Sequence, residues 1–342
     1  MRLSALILKV VATSVGLTKY LFHRIRNHIK AEWNYLLAHV GIMRFTHKPV
    51  FISVEPANYC QLHCPECPVG THRLTGASTV DTSPSRLSVP LYKKALREVM
   101  PFVHTIQFYF QGEPLLNPDL CRMIKMAHWT GIYTIVSTNA QLLTEEYARR
   151  LVRSGLNRII VSMDGLTQST YEKYRQGGDV EKVYAALHYI RAAKKRFRSS
   201  ICIELQCLRL SSNEAEWKRF KQEYRRMGAD CLSFKTAQFY SYQDGNPLMP
   251  STDTYSRYKT GKDGQFMVKR HHRICRRLFM GCVLDVDGNV LPCCFDKSRK
   301  YPFGNLQTEP FQEVWDSLFA RRFRERVLGH RRTISICQNC TE

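Results

Sequence analysis

A chain of 342 residues, 44% of them hydrophobic, has the length and apolar content to fill a barrel-sized core and carry a smaller satellite unit. Thirteen cysteines, not evenly paired in so long a chain, argue against a secreted disulfide framework. A net charge of +22 calls for an acidic partner, but no interleaved aromatic or RNA-binding signature accompanies it, so no specific nucleic acid is expected.

Residues 1–48 read as a segment of their own. Leu3, Ile7, Val10, Leu17 and Leu21 recur at helical spacing, and Trp33, Leu36, Leu37 and Val40 continue the apolar content. Lys9 and Lys19 interrupt the stretch, which is short for a membrane span, and no small-residue cleavage site marks a signal peptide. Lys19, Arg24, Arg26 and Lys30, with His23 and His28, complete a basic amphipathic helix. Residues 1–45 suit the surface of an anionic membrane, or equally a packed position on the outside of the body or on a partner chain.

The apolar run Val50–Val54 reads as a strand. Directly after it, Cys60, Cys64 and Cys67 are spaced C-x3-C-x2-C within Asn58-Tyr-Cys-Gln-Leu-His-Cys-Pro-Glu-Cys-Pro68. Three thiolates at a strand exit supply three of the four ligands of an iron–sulfur cube and leave one iron open. They also suit a structural zinc site completed by His63 or His72, although zinc sites more often pair C-x2-C knuckles. The following stretch, Thr71–Pro84, is rich in Thr, Ser and Gly and reads as a long loop.

A serial pattern follows. Phe108–Gln111 leads into Gly112-Glu113-Pro114, Thr134–Asn139 carries Ser137 and Asn139, and Arg158–Gly165 ends in Ser162 and Asp164. Ile201–Gln206 and Cys231–Lys235 read as two further strands. Between the strands lie helical stretches at 90–100, 118–130, 144–154, 180–196 and 213–227. Six rounds of strand and helix predict an α/β fold with a parallel sheet and right-handed crossovers, a partial (β/α)6 barrel over 49–240. The working residues of such a barrel lie at the C-terminal strand ends, where the cysteine loop, Glu113, Asn139, Ser162, Asp164 and Gln206 fall.

Residues 241–274, with Gly, Pro, Asp and several Tyr, read as a linker to a small α+β module at 275–342. That module begins at Cys275. It continues through a hairpin turning at Asp287-Gly288-Asn289 that delivers Cys293, and after a basic helix it closes with Cys337-Gln-Asn-Cys340. Taken alone, the four cysteines suit a zinc ribbon as well as an iron–sulfur cluster. Basic clusters at 269–277 and 321–332 lie in or beside the module.

The cysteine triplet and the strand ends after it resemble the radical S-adenosylmethionine (SAM) superfamily. The C-terminal cysteines resemble its SPASM extension, or the shorter twitch form. Together the likeness spans roughly Val50 to Cys340. It implies a [4Fe–4S] cluster on Cys60, Cys64 and Cys67 whose open iron chelates SAM, and an auxiliary [4Fe–4S] cluster on Cys275, Cys293, Cys337 and Cys340. Gly112-Glu113-Pro114 is similar to the family's GGEP motif with Gln111 at its first glycine. By the same likeness the SAM contacts come from these residues and from Ser137, Asn139, Ser162, Asp164 and Gln206. The chemistry implied is reductive cleavage of SAM to a 5′-deoxyadenosyl radical, which abstracts hydrogen from substrate. The electron comes from an acidic donor such as flavodoxin or ferredoxin. The compartment expected is a reducing cytoplasm; of the two readings of the N-terminal helix, the membrane one would put it on the inner membrane face.

Six cysteines stand outside the two ligand sets: Cys121, Cys202, Cys207, Cys231, Cys282 and Cys294. Most are expected to be small buried apolar residues. Cys207 and Cys294 are candidate hydrogen donors to a substrate radical, as in radical SAM epimerases. In sulfatase-maturating relatives an aspartate base follows the matching cluster cysteine; here Cys294 takes that place and Asp296 is the nearest carboxylate. The expected function is oxidation or epimerisation of a small molecule, sugar or lipid. Two alternatives stay open: a peptide- or protein-modifying maturase, and a non-enzymatic metal-binding scaffold that turns over no SAM.

Overall fold

The computed structural model describes residues 2–75, 83–269 and 274–341, with only the backbone described at 2–19 and 72–75. The side chains of Leu3, Ile7, Val10, Leu17 and His72 therefore lie outside the described residues, as do parts of the 71–84 and 269–277 stretches. The chain opens with one long helix, α1 (Arg2–His39). Among the described residues, no helix is long and apolar enough to cross a membrane.

Six parallel strands follow in sequential spatial order: β1 (Phe51–Val54), β2 (Thr105–Phe108), β3 (Tyr133–Thr138), β4 (Arg158–Ser162), β5 (Cys202–Arg209) and β6 (Cys231–Thr236). α2 (Pro68–Thr75) continues the cysteine loop, and helices cover the outer face of the strands: α3 (Val89–Val99), α4 (Leu120–His128), α5 (Glu145–Arg153), α6 (Gln168–Tyr171), α7 (Val180–Arg196) and α8 (Trp217–Glu223). The helix starts are written in the sequence. The hydroxyls of Ser88 and Thr144 and the carboxylate of Asp179 accept first-turn amides of α3, α5 and α7, donors that otherwise lack intrahelical partners. In α5 Glu145 and Glu146 occupy the first turn, and Arg150 and Arg153 the last, matching the helix dipole. Outward strand residues such as Ile159, Val161, Ile203 and Leu205 pack with Val183, Leu187 and Ile190 of α7 in one continuous core.

The C-terminal module adds its strands to the same sheet. β7 (Tyr258–Thr260) and β8 (Phe266–Val268) form a small separate ribbon within the stretch read as a linker. After α9 (Arg277–Met280), β9 (Gly281–Leu284) pairs in parallel with β1, Phe51 opposite Gly281 through Val54 opposite Leu284. A Cβ on Gly281 would fall 2.6 Å from the Phe51 ring, so the close approach needs glycine. β10 (Asn289–Leu291) and β11 (Gly304–Asn305) continue antiparallel, giving nine strands among the described residues in the order β11-β10-β9-β1-β2-β3-β4-β5-β6. Gly288, at φ +89°, turns the hairpin, and the Asp285 carboxylate takes the amides of Asp287 and Asn289. α10 (Phe311–Trp315), α11 (Leu318–His330) and α12 (Ser335–Gln338) complete the module.

Three local expectations change. β2 ends at Phe108, so Gly112-Glu113-Pro114 sits on a loop beyond the strand. β5 runs on to Arg209 because its pairing with β6 continues through Arg209 opposite Thr236, which leaves Gln206 and Cys207 inside the strand. The stretch read as a loop from Thr71 opens instead inside α2, led by Pro68.

Candidate functional site

The loop after β1 folds its three cysteines into one buried neighbourhood. Cys60 Sγ accepts the Leu62 amide and the Asn139 Nδ2–H, each at 3.4 Å. Cys64 is buried, with the Arg175 guanidinium 4.0 Å from its sulfur. The Cys67 amide donates to the Cys64 carbonyl, turning the chain into α2. Burial pushes the Cys60 thiol up to about 12, with the charges of Glu113, Cys64 and Cys67 adding to the effect. Bare thiolates are disfavoured in such a place, and coordinated iron supplies the positive charge that makes them favourable.

Glycine at position 112 lets a second loop cross this one at backbone distance. A Cβ there would stand 2.2 Å from the Ala57 carbonyl oxygen and 2.6 Å from the Tyr59 amide nitrogen. The Glu113 amide donates to the Tyr59 carbonyl at 2.9 Å, and Pro114 starts a short 3-10 turn. The buried Glu113 carboxylate accepts the Thr138 hydroxyl at 2.6 Å, the Asn139 amide at 2.9 Å and the Leu115 amide at 3.2 Å. Burial raises it to about 7 against those hydrogen bonds. It pins the end of β3 to the cysteine loop, and Asn139 Oδ1 closes the link by accepting Gln61 Nε2.

Asp164, fully buried, accepts Arg175 Nε and the Leu208 amide, both at 2.6 Å, and so aims the arginine at Cys64. Ser162, at the end of β4, lies opposite Gln206 in register. The fold thus gathers Gly112, Glu113, Asn139 and Asp164 around the triplet, while Ser137 and Gln206 line the barrel lumen. Arg175, Thr138 and Gln61 are participants that sequence reasoning missed. Arg175 lies on the turn after α6, and no local pattern marks it.

The second cysteine group converges as well. Cys275 is pushed up to about 11, first by burial, with Cys340 and Cys337 close enough to add and Arg331 opposing. Burial likewise raises Cys293, with Cys294, Cys275 and Cys340 nearby. Arg331 Nη2 donates to Cys340 Sγ at 3.4 Å. Among the described residues, no three Cys, His, Asp or Glu side chains are gathered tightly enough to be a ready site for a single ion. A cluster, whose irons stand apart, takes its thiolates at wider separation.

Two candidate catalytic residues are corrected. Cys207 is fully buried in the layer between sheet and helices, its sulfur 3.3 Å from the Leu208 carbonyl and 3.6 Å from Asn213 Nδ2. Side chains alternate along a strand, so with Gln206 facing the lumen Cys207 faces away. Asp296 is wholly buried and its two oxygens accept the Lys300 and Tyr301 amides at 2.8 and 2.9 Å, which makes it a turn former. Cys294 lies beside the lumen: Arg277 Nη1 donates to its sulfur at 3.5 Å, and Arg277 lines the chamber together with Tyr109 and Arg257. Of the other cysteines, Cys282 is buried beside β1, while Cys202 and Cys231 are only half-buried, their sulfurs 3.7 Å apart on neighbouring strands.

Two cavities serve these groups. A cleft of about 790 Å³ opens at the cysteine-loop end, between α2, residues 238–245 and the C-terminal module. A lumen chamber of about 460 Å³ runs down from Ser137 and Gln206 to Arg158, the first residue of β4. Arg257 and Arg277 also line it, with Cys294 and Cys340 near enough to Arg257 to act on it. Cations outnumber acids on its wall. Glu204 is engaged by Arg158 at 2.5 Å, whereas Arg257 holds buried Nε and Nη1 atoms without a hydrogen-bond partner among the described residues.

Residues 54–203 match the Radical SAM superfamily, and residues 275–341 match the SPASM iron-sulfur cluster-binding domain. An AdoMet-dependent heme synthase from Methanosarcina barkeri is 24% identical over 305 residues, covering 81% of this chain and 84% of the relative. A PqqA peptide cyclase from Gluconobacter oxydans is 25% identical over 295 residues, covering 80% and 78%. A crystal structure of BtrN in complex with AdoMet and 2-DOIA shares the fold with a TM-score of 0.54 at 21% identity, over 86% of this chain and 94% of that one.

Proposed function

The chain belongs to the radical SAM superfamily and carries a SPASM domain, and on that premise we propose that it oxidises or epimerises a small molecule bearing an anionic group. Its cofactors are a [4Fe–4S] cluster, SAM and auxiliary iron–sulfur. When bound, the first two supply a 5′-deoxyadenosyl radical that takes a hydrogen atom from an unactivated C–H bond. Cys60, Cys64 and Cys67 hold the cluster. Asn139 Nδ2–H on Cys60 and Arg175 beside Cys64 offset thiolate charge. The backbone crossing at Gly112 and the Glu113 clamp fix the loop against β3, where the SAM amino group would be received. Cys275, Cys293, Cys337 and Cys340 hold the auxiliary cluster.

One observation carries the substrate class: an inward chamber of about 460 Å³, within the range of small-molecule pockets, whose wall has an excess of cations and a half-buried Arg257 whose Nε and Nη1 meet no hydrogen-bond partner among the described residues. A carboxylate or phosphate there would satisfy Arg257, with Arg277 on the same wall. In an epimerisation the Cys294 thiol would give the substrate radical a hydrogen atom, and one electron from the flavodoxin or ferredoxin donor, with a proton, would restore the thiol. An acidic flavodoxin or ferredoxin suits the +22 chain as electron donor.

A second reading, modification of a peptide, is favoured by the larger open cleft at the cysteine-loop end and by the PqqA peptide cyclase among the relatives. The test is anaerobic reconstitution followed by reduction with SAM, counting iron and following 5′-deoxyadenosine by mass spectrometry. About eight irons per chain are expected. Deoxyadenosine should rise above its uncoupled rate when a fraction of small anionic metabolites is added. A rise with a peptide fraction alone would transfer the assignment to the second reading. Zinc in place of iron with no deoxyadenosine would leave only a scaffold.

A further inference from the structure

The described part of α1 has two opposite faces, and the outer one is the unusual one. Arg24, Asn27, Ala31, Asn34 and Ala38 are buried against the body. Leu21, Phe22, Ile25, Ile29, Trp33 and Leu36 are each more than half exposed. At 3.6 residues per turn these six fall within an arc of about 120° that does not overlap the arc of the buried set. Val40, 72% exposed, and then Ile42 and Met43 continue the apolar surface past the helix end.

The rotation of the helix is fixed from inside. Arg24 donates to the carbonyls of Met100 and Thr130, at 2.7 and 2.8 Å. Asn27 exchanges hydrogen bonds with the backbone of Lys48, and Asn34 bonds His47 at 2.8 Å. Rolling the apolar stripe inward would strand these polar groups, so the stripe is held outward.

Charge identifies the occupant. Glu32 is the sole acid between Tyr20 and Lys48, and Arg276 and His28 already engage it. Arg26 and Lys30, both exposed, flank one edge of the stripe, with exposed Arg44 beyond it. Trp129, 67% exposed with Lys125 5.2 Å from its ring, adds an interfacial aromatic beside the Thr130 carbonyl that Arg24 holds. We propose that this face docks the protein on an anionic lipid bilayer, α1 lying in the plane of the interface. Its apolar stripe enters the headgroup–acyl boundary, and Arg26 and Lys30 meet headgroup phosphates.

The test is flotation of the purified full chain with vesicles of phosphatidylcholine alone or mixed with phosphatidylglycerol. The wild type should float with the mixed vesicles and much less with the neutral ones. The double variant I25E/I29E should lose about tenfold or more of that binding, and R26E/K30E should lose less but become insensitive to salt. Unchanged thermal melting keeps the fold in evidence for both variants. A wild type left behind by anionic vesicles, or an I25E/I29E variant that floats equally well, would overturn the proposal. So would a lipid-free dimer that I25E/I29E converts to monomer, which would make a second copy the occupant.

Discussion

The two cysteine groups use one donor chemistry and differ in number and in supporting structure. The triplet sits on a single local loop and borrows its neighbours from the loops after β2 and β3 and the turn after α6, through Gly112, Asn139 and Arg175. The C-terminal group draws Cys275, Cys293 and Cys337–Cys340 from three separated segments and is supported from its own module by Arg331. Three donors leave a position for chemistry, whereas four close a site. A short loop gathers the open set cheaply in sequence, and a whole domain is needed to gather the closed one.

The largest expected difference between the groups is in SAM cleavage. Cys64→Ala should abolish deoxyadenosine formation, whereas Cys337→Ala should retain the uncoupled reaction and lose about four irons per chain. Equal loss in both would erase the distinction. Next comes Gly112→Ala, which forces backbone atoms of the two crossing loops apart. It should lower stability by about 1–3 kcal/mol on thermal melting and weaken SAM binding measured by calorimetry.

Arg257→Met sharpens the contrast from the substrate side. It should raise KM for the substrate about tenfold or more while leaving uncoupled SAM cleavage intact, since one charge-assisted hydrogen bond is worth about 1.5–3 kcal/mol. The last contrast lies at the seam that joins the module to β1. Burial lifts Glu55 from 4.5 to about 7, against Arg299. An acid raised on folding stabilises fully below its unfolded value and loses that contribution as pH climbs through the folded one. Stability should therefore fall from about pH 5 to 7.5 by up to about 3 kcal/mol through this group. In Glu55→Gln, thermal melting across that window should be flatter; an identical slope would count against the seam as a titrating element.

Legibility followed sequence distance. The cysteine triplet, the Asp287-Gly288-Asn289 turn and the capped helices are each decided by neighbours within a few residues, so spacing alone exposes them. Cys207 and Gln206 show the limit of a local pattern. Alternation says that they face opposite sides of the sheet, but not which side is the lumen, and both had been candidates. Asp296 is a carboxylate near a cluster cysteine in sequence, yet two backbone amides four and five residues on consume it.

What the sequence by itself determined is the cofactor chemistry and the strand–helix rhythm, because ligand identity, ligand spacing and hydrophobic period are local properties. Only the tertiary structure decided that β9 would pair with β1 across 230 residues, that Arg175 would reach Cys64, and that Arg257 would bring two buried N–H atoms to the lumen with no hydrogen-bond partner among the described residues. Those outcomes depend on which surfaces close against one another, and a contact between distant segments leaves no period or spacing in either of them.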